Sequence, residues 1–140
     1  MAGEHENLVM FVRHGERCDL VDDEKERARI AVKSDPPLTK LGVAQAHVCG
    51  KFLKQYLTAN NYDKIVIESS PFLRAMETAA GIATELGLDE ISINYRCSEW
   101  LREEFFPEAC PLNELTINQS WDSEFKVHNI RVKHNTEHKR

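Results

Sequence analysis

The chain has 140 residues, 41% hydrophobic and 29% charged, with a net charge of -5 at pH 7. One domain of this size buries about two-thirds of its unfolded surface, so a packed core is expected. The acidic balance excludes a general binder of nucleic acid or membrane surfaces, which needs clustered positive charge, and no apolar run approaches the ~18 residues of a membrane span.

Glu4, His5 and Glu6 stand where a secretory signal carries basic and apolar residues, so an intracellular, cytoplasmic protein is expected. Cys18, Cys49, Cys97 and Cys110 are irregularly spaced and fit neither a zinc pattern nor a disulfide framework.

Residues 8–12, Leu-Val-Met-Phe-Val, read as a buried strand that stops where Arg13, His14, Gly15, Glu16 and Arg17 arrive together. Ligands of open α/β sheets bind at the carboxyl ends of strands. Gly15 permits a tight turn and close backbone approach, and Arg13 and Arg17 bracket an anion with planar, permanently charged forks. The chemistry this points to is phosphoryl transfer to a histidine nucleophile, His14. Cys18 next to Arg17 is either an acidified, oxidisable thiol or a reduced cysteine packed near the site.

Residues 18–34 are dense in charge and are expected to lie over the surface as a loop or short helix, with substrate gating as the alternative. Asp35-Pro36-Pro37 ends that segment rigidly and Thr39 is a good helix N-cap. Leu41, Ala44, Val48, Phe52 and Tyr56 recur at helical spacing as a predicted buried stripe, with His47, Lys51 and Lys54 on the opposite, solvated side.

Asn60, Asn61 and Asp63 mark a turn, and residues 65–67 predict a short buried strand. Ser70 is the predicted cap and Pro71 the first position of a second helix, whose apolar face is Met76, Ala79, Ala80, Ala83 and Leu86 and which Gly87 closes. Arg74 falls in its first turn, where free amides and the guanidinium both favour an anion. Residues 91–95 alternate as a third strand ending near Glu99 and Trp100. A carboxyl beside an indole is partly desolvated, which raises its pKa and suits Glu99 to general-acid work. An ordinary surface glutamate is the alternative, and Glu103 and Glu104 compete for the role. Residues 100–111, with Phe105, Phe106 and Pro107, read as an irregular flap. Strands alternating with helices imply parallel βαβ units with right-handed crossovers. His134 and His138 have a metal-ligand spacing but no third ligand, and no metal is expected.

The run 13–17, the segment 35–46 and the stretch 69–79, Ser-Ser-Pro-Phe-Leu-Arg-Ala-Met-Glu-Thr-Ala, together resemble the histidine phosphatase (phosphoglycerate mutase-like) superfamily. Glu16-Arg17, Pro36-Pro37 and Ser98-Glu99-Trp100 are most similar to the phosphatase domain of the suppressor of T-cell receptor signalling proteins. The resemblance covers about 8–123, with 124–140 divergent or truncated, in a single domain over 1–140. It implies a three-layer α/β fold, a mostly parallel sheet flanked by helices, incomplete at the C-terminus.

What the resemblance implies for function is a metal-independent phosphomonoesterase without cofactor. His14 becomes a phosphohistidine, Arg13, Arg17 and Arg74 hold the phosphate oxygens, and Glu99 donates the proton. The partner is a small phosphorylated substrate or a phosphoprotein, not nucleic acid or membrane. The family carries a second histidine late in the chain, at the end of a strand rich in Val, Ile and Leu. Here 120–123 resembles the start of the helix before that strand, and 124–133 is predicted to continue it. His128, His134 and His138 are then poor substitutes, His134 the least so because Val132 precedes it. The alternatives are a weak or inactive phospho-ligand-binding remnant and a mutase, the latter disfavoured because Arg17-Cys18-Asp19 replaces an asparagine-containing polar run.

Overall fold

The computed structural model describes residues 6–98, 115–117 and 125–134. Within them, Thr39 does what its side chain suggests. Its backbone is extended and its Oγ1 accepts the Gly42 N–H at 2.9 Å, opening the helix that follows. A short helix α1 (Glu24–Arg27), capped by Asp23, precedes it. Helix α2 (Lys40–Ala59) is followed by strand β1 (Glu68–Ser69), helix α3 (Leu73–Leu86), strand β2 (Glu90–Ile93), and strands β3 (Lys126–Val127) and β4 (Ile130–His134).

The sheet runs in the order β1-β2-β4-β3, with β1, β2 and β4 parallel and β3 antiparallel. This is the predicted α/β class with a mostly parallel sheet. The main core lies between α3 and the sheet, where Met76, Ala79, Ala80 and Ala83 meet Ile91, Ile93, Val127, Ile130 and Val132, with Leu115 and Ile117 beside them. Gly87 closes α3 at φ 73°, a left-handed conformation that costs glycine little.

The buried face of α2 is not the predicted one. Gly42, Ala46, Gly50, Leu53 and Leu57 face inward, whereas Leu41, Val48, Phe52 and Tyr56 stay 40–66% exposed. Close approach of α2 and α3 explains the reversal. A Cβ on Gly50 would lie 2.8 Å from Glu85 Cβ, and one on Gly81 would lie 2.7 Å from Ala46 Cβ. Small residues win the interface because they let the backbones meet, while a pattern weighted by hydrophobic bulk selects the other side. His47 is likewise half-buried rather than solvated, its Nδ1 2.8 Å from Glu85 Oε1 across the two helices.

Residues 8–12 form no strand. They have no ladder partner among the described residues, and Val9 and Phe11 are 74% and 96% exposed. An apolar run specifies burial but not a pairing edge, and a strand exists only where its amides find partners. A cavity of about 370 Å³ lies between this segment, residues 62–70 and the helices, lined by Met10, Val12, Leu53, Ile67 and Ile82 among others.

Three further predictions shift. Pairing on the second predicted strand begins only at Ile67, whose carbonyl accepts the Ser92 N–H at 3.0 Å, and the ladder itself is Glu68–Ser69. Helix α3 starts at Leu73 with Phe72 as N-cap, not with Ser70 as cap and Pro71 at its first position. The cap comes from afar, since the buried Asp35 Oδ1 accepts the Leu73 N–H at 2.7 Å. Residues 125–134 are a hairpin and not a continued helix. Val127, Ile130 and Val132 are buried and Lys126, Arg131 and Lys133 exposed, which is a strand period, and His128 (φ 48°) and Asn129 (φ 66°) supply the two left-handed positions of its tight turn. Glu99, Glu103, Glu104, the flap 100–111, the stretch 120–123 and His138 lie outside the described residues.

Candidate active site

Two glycines bring the His14 loop onto α2. A Cβ on Gly15 would lie 2.5 Å from Gly42 O, and one on Gly42 would lie 2.4 Å from Glu16 O, so the two backbones touch where neither residue has a side chain. Hydrogen bonds hold the contact. Glu16 N–H donates to Gln45 Oε1 at 2.9 Å, Thr39 N–H to Glu16 O at 2.9 Å, and Thr39 Oγ1 to Glu16 Oε1 at 2.8 Å. Arg17 then bridges Leu38, and Cys18 N–H donates to Pro37 O at 2.9 Å.

Thr78 joins this loop to α3. Its Oγ1 accepts the Gly15 N–H at 3.1 Å and donates to Arg74 O at 2.8 Å. Through one buried hydroxyl the loop bearing His14 and the helical turn bearing Arg74 are fixed to each other, although they are far apart in sequence. Sequence reasoning gave Thr78 no role of its own, although it lies in the stretch 69–79 that carries the resemblance and one helical turn after Arg74. It also missed the carboxylate of Asp35, which ties α3 to a distant segment through Oδ2 and the Thr116 N–H at 3.0 Å.

His14 is half-buried, with Nδ1 2.8 Å from Gly15 O. A carbonyl only accepts, so in the neutral tautomer that geometry selects the proton sits on Nδ1 and the lone pair on Nε2. The ring borders the cavity together with Ser69, Ser70 and Thr78. Arg74, 4% exposed, stacks its guanidinium 4.5 Å from the Phe72 ring centroid. Arg17 grips Asp19 with two hydrogen bonds, and Arg13, next to His14 in sequence, is exposed.

Cys18 is fully buried, its Sγ 3.2 Å from Leu38 O. Burial pushes its thiol up to about 11, against the opposing pull of Arg29. That burial and the raised value fit the reduced cysteine packed near the site, since a reactive thiol needs a lowered pKa. Burial works against ionisation of Glu26, but hydrogen bonds from Arg29 Nη1 (2.6 Å) and the Lys40 N–H (3.2 Å) outweigh it and hold this carboxyl below its ordinary value. Segment 18–34 is thus fastened at Glu26 to the start of α2.

His134 ends β4 opposite Ile93, with its Nδ1 3.3 Å from Tyr95 Oη. Strand β2 stands between β4 and β1. Parallel neighbours are ~4.8 Å apart, so His134 lies two strand steps from the edge where Ser69 and Ser70 meet the His14 cavity. His128 pairs instead with the buried Glu77 at 3.0 Å. Among the described residues, no three His, Cys, Asp or Glu side chains are grouped to hold a metal ion, and no helix is long and apolar enough to cross a membrane.

Residues 9–137 match the family described as histidine phosphatase superfamily (branch 1). The chain belongs to that superfamily. Over 116 residues, 83% of its length, it is also 35% identical to a Methylobacterium radiotolerans protein named 2,3-bisphosphoglycerate-dependent phosphoglycerate mutase. It spans 50% of that relative's length. In a histidine phosphatase superfamily member, the glycine-packed loop at His14 and its hydroxyl link to the Arg74 turn are the elements around which the candidate site is built.

Proposed function

We propose that this chain carries the phosphohistidine half-site of a metal-independent phosphomonoesterase. The observation that supports it most is the Gly15–Thr78–Arg74 hydrogen-bond chain, which ties the imidazole loop to a helical turn bearing a buried guanidinium. His14 Nε2, with its lone pair unprotonated, attacks phosphorus as the P–O ester bond breaks and its electron pair leaves on the alcohol oxygen. Glu99 is assigned the proton that this oxygen takes up, and Arg13, Arg17 and Arg74 the charge on the phosphoryl oxygens. Water then displaces the imidazole, the P–N bond breaks, and inorganic phosphate leaves. The likeness of Glu16-Arg17 and Ser98-Glu99-Trp100 to suppressor of T-cell receptor signalling phosphatases favours hydrolysis of a small phosphate ester or a phosphoprotein.

The likeness to a mutase favours a second reading, phosphoryl transfer between positions of a phosphoglycerate. The position of His134 beyond β2 favours a third, a weak or inactive phospho-ligand-binding module. One experiment separates them. Purified chain is incubated with para-nitrophenyl phosphate and with 3-phosphoglycerate, and an acid-labile, base-stable phosphoenzyme is trapped. Hydrolysis and label that both vanish in His14→Ala support the phosphatase. Isomerisation supports the mutase, and phosphate binding without label supports the module. Label or turnover that survives His14→Ala refutes the nucleophile assignment.

A further inference from the structure

Arg17 is held at both ends. Its backbone bridges Leu38, and its guanidinium is gripped by Asp19, Nε to Oδ1 at 2.9 Å and Nη2 to Oδ2 at 2.6 Å. The two residues flank Cys18 at the start of a single 3-10 turn, Cys18–Leu20, so the pair is local and its geometry is set by that turn. Their side chains are 23% and 30% exposed. A flexible surface pair contributes little, but a parallel two-bond fork in a half-buried turn orders the guanidinium plane. Asp19 occupies two of the five N–H donors of Arg17. Both Nη1 hydrogens and the second Nη2 hydrogen remain, on the edge facing away from the carboxylate.

We propose that Asp19 is a positioning residue: it fixes Arg17 in one rotamer so that this remaining edge is presented to a tetrahedral oxyanion at His14. The inference rests on the reading of Arg17 as a phosphate ligand. Two effects of Asp19 on such an anion have opposite sign. Its charge repels the anion, so on charge alone its removal tightens binding. Its grip spares the site the ordering of a long side chain at the moment of binding, so removal weakens it. The short bidentate contact makes the ordering effect the larger one.

Titration calorimetry of the full chain with inorganic phosphate and with orthovanadate decides the sign. Asp19→Ala is expected to weaken phosphate binding about fivefold, the scale of one well-formed charge pair. Asp19→Asn, which keeps an acceptor for Nε and loses the charge, should fall between it and the parent. In an Arg17→Ala background, Asp19→Ala should change affinity no further, because the carboxylate acts only through the guanidinium. The Arg17 Nε–H resonance should sharpen or shift toward that of a solvated arginine in Asp19→Ala. Phosphate binding as tight as or tighter than the parent in Asp19→Ala and Asp19→Asn, with Arg17→Ala weakened, overturns the positioning role alone. An unchanged affinity in Arg17→Ala, or no phosphate binding by the parent, overturns the phosphate-ligand reading and Asp19's role with it. If Asp19→Ala fails to fold, Asp19→Asn and the double variant carry the same comparison.

Discussion

Gly42→Ala tests whether the loop of His14 is held by backbone-to-backbone contact. Gly42 is helical, and in a helix interior alanine is favoured over glycine by about 1 kcal/mol, so propensity alone predicts a more stable protein. The packing predicts the reverse. The added methyl would lie 2.4 Å from Glu16 O and 2.8 Å from Glu16 N, while non-bonded heavy atoms rest about 3.5–4.0 Å apart. The loop must therefore retreat by about 1 Å, and the backbone it meets has no rotamer to change. Overpacking of this kind costs about 1–3 kcal/mol. Displacing Glu16 also stretches its bonds to Thr39 N and Gln45 Oε1, both 2.9 Å, each contributing about 1 kcal/mol. A net loss of about 2–4 kcal/mol is expected, which for a domain of this size lowers Tm by about 7–14 °C. Urea unfolding and calorimetry read the stability, and vanadate binding reads the site, where about 1 Å of misplacement is enough to cost about 100-fold in rate. An unchanged or raised Tm would refute the reasoning, because it would mean that the loop does not rest on the first turn of α2.

Asp35→Ala leaves the N–H groups of Leu73 and Thr116 without their acceptor and should destabilise by about 3 kcal/mol, since each buried unsatisfied donor costs about 1–3 kcal/mol. Asp35→Asn, which keeps one acceptor, should lose about half of that, and equal urea midpoints for parent and Asp35→Ala would contradict the capping role. Cys18 makes stability depend on pH in the alkaline range. Its folded pKa is raised from 9.0 to about 11, so its contribution is intact below the unfolded value and is lost as pH climbs through that window. The loss is about 1.4 kcal/mol per pH unit at its steepest. Subtracting the urea stability of Cys18→Ala from that of the parent between pH 8 and 11 isolates this slope, and a flat difference would show that the thiol is not desolvated.

The sequence alone determined the punctuation of the chain and the chemistry gathered at its breaks. Thr39 caps a helix wherever its hydroxyl can turn back on Gly42 N–H, Gly87 ends one because without a Cβ it enters the left-handed region at little cost, and residues 13–17 gather two arginines around His14 by residue type alone. These are local effects, decided within a few residues. Tertiary structure decided everything that depends on what lies opposite. The inward face of α2 is the one with glycine and alanine because α3 approaches it closely, a fact no hydrophobic periodicity contains. Residues 8–12 are apolar but have no ladder partner among the described residues, because a strand is defined by its neighbour's amides and not by its own side chains. The alternation of 126–133 was in the sequence, yet its hairpin needed β2 beside β4 to give Val132 a buried side. Thr78 and Asp35 matter through partners far along the chain, and a side chain's long-range partner is set only when the packed helices bring the two together.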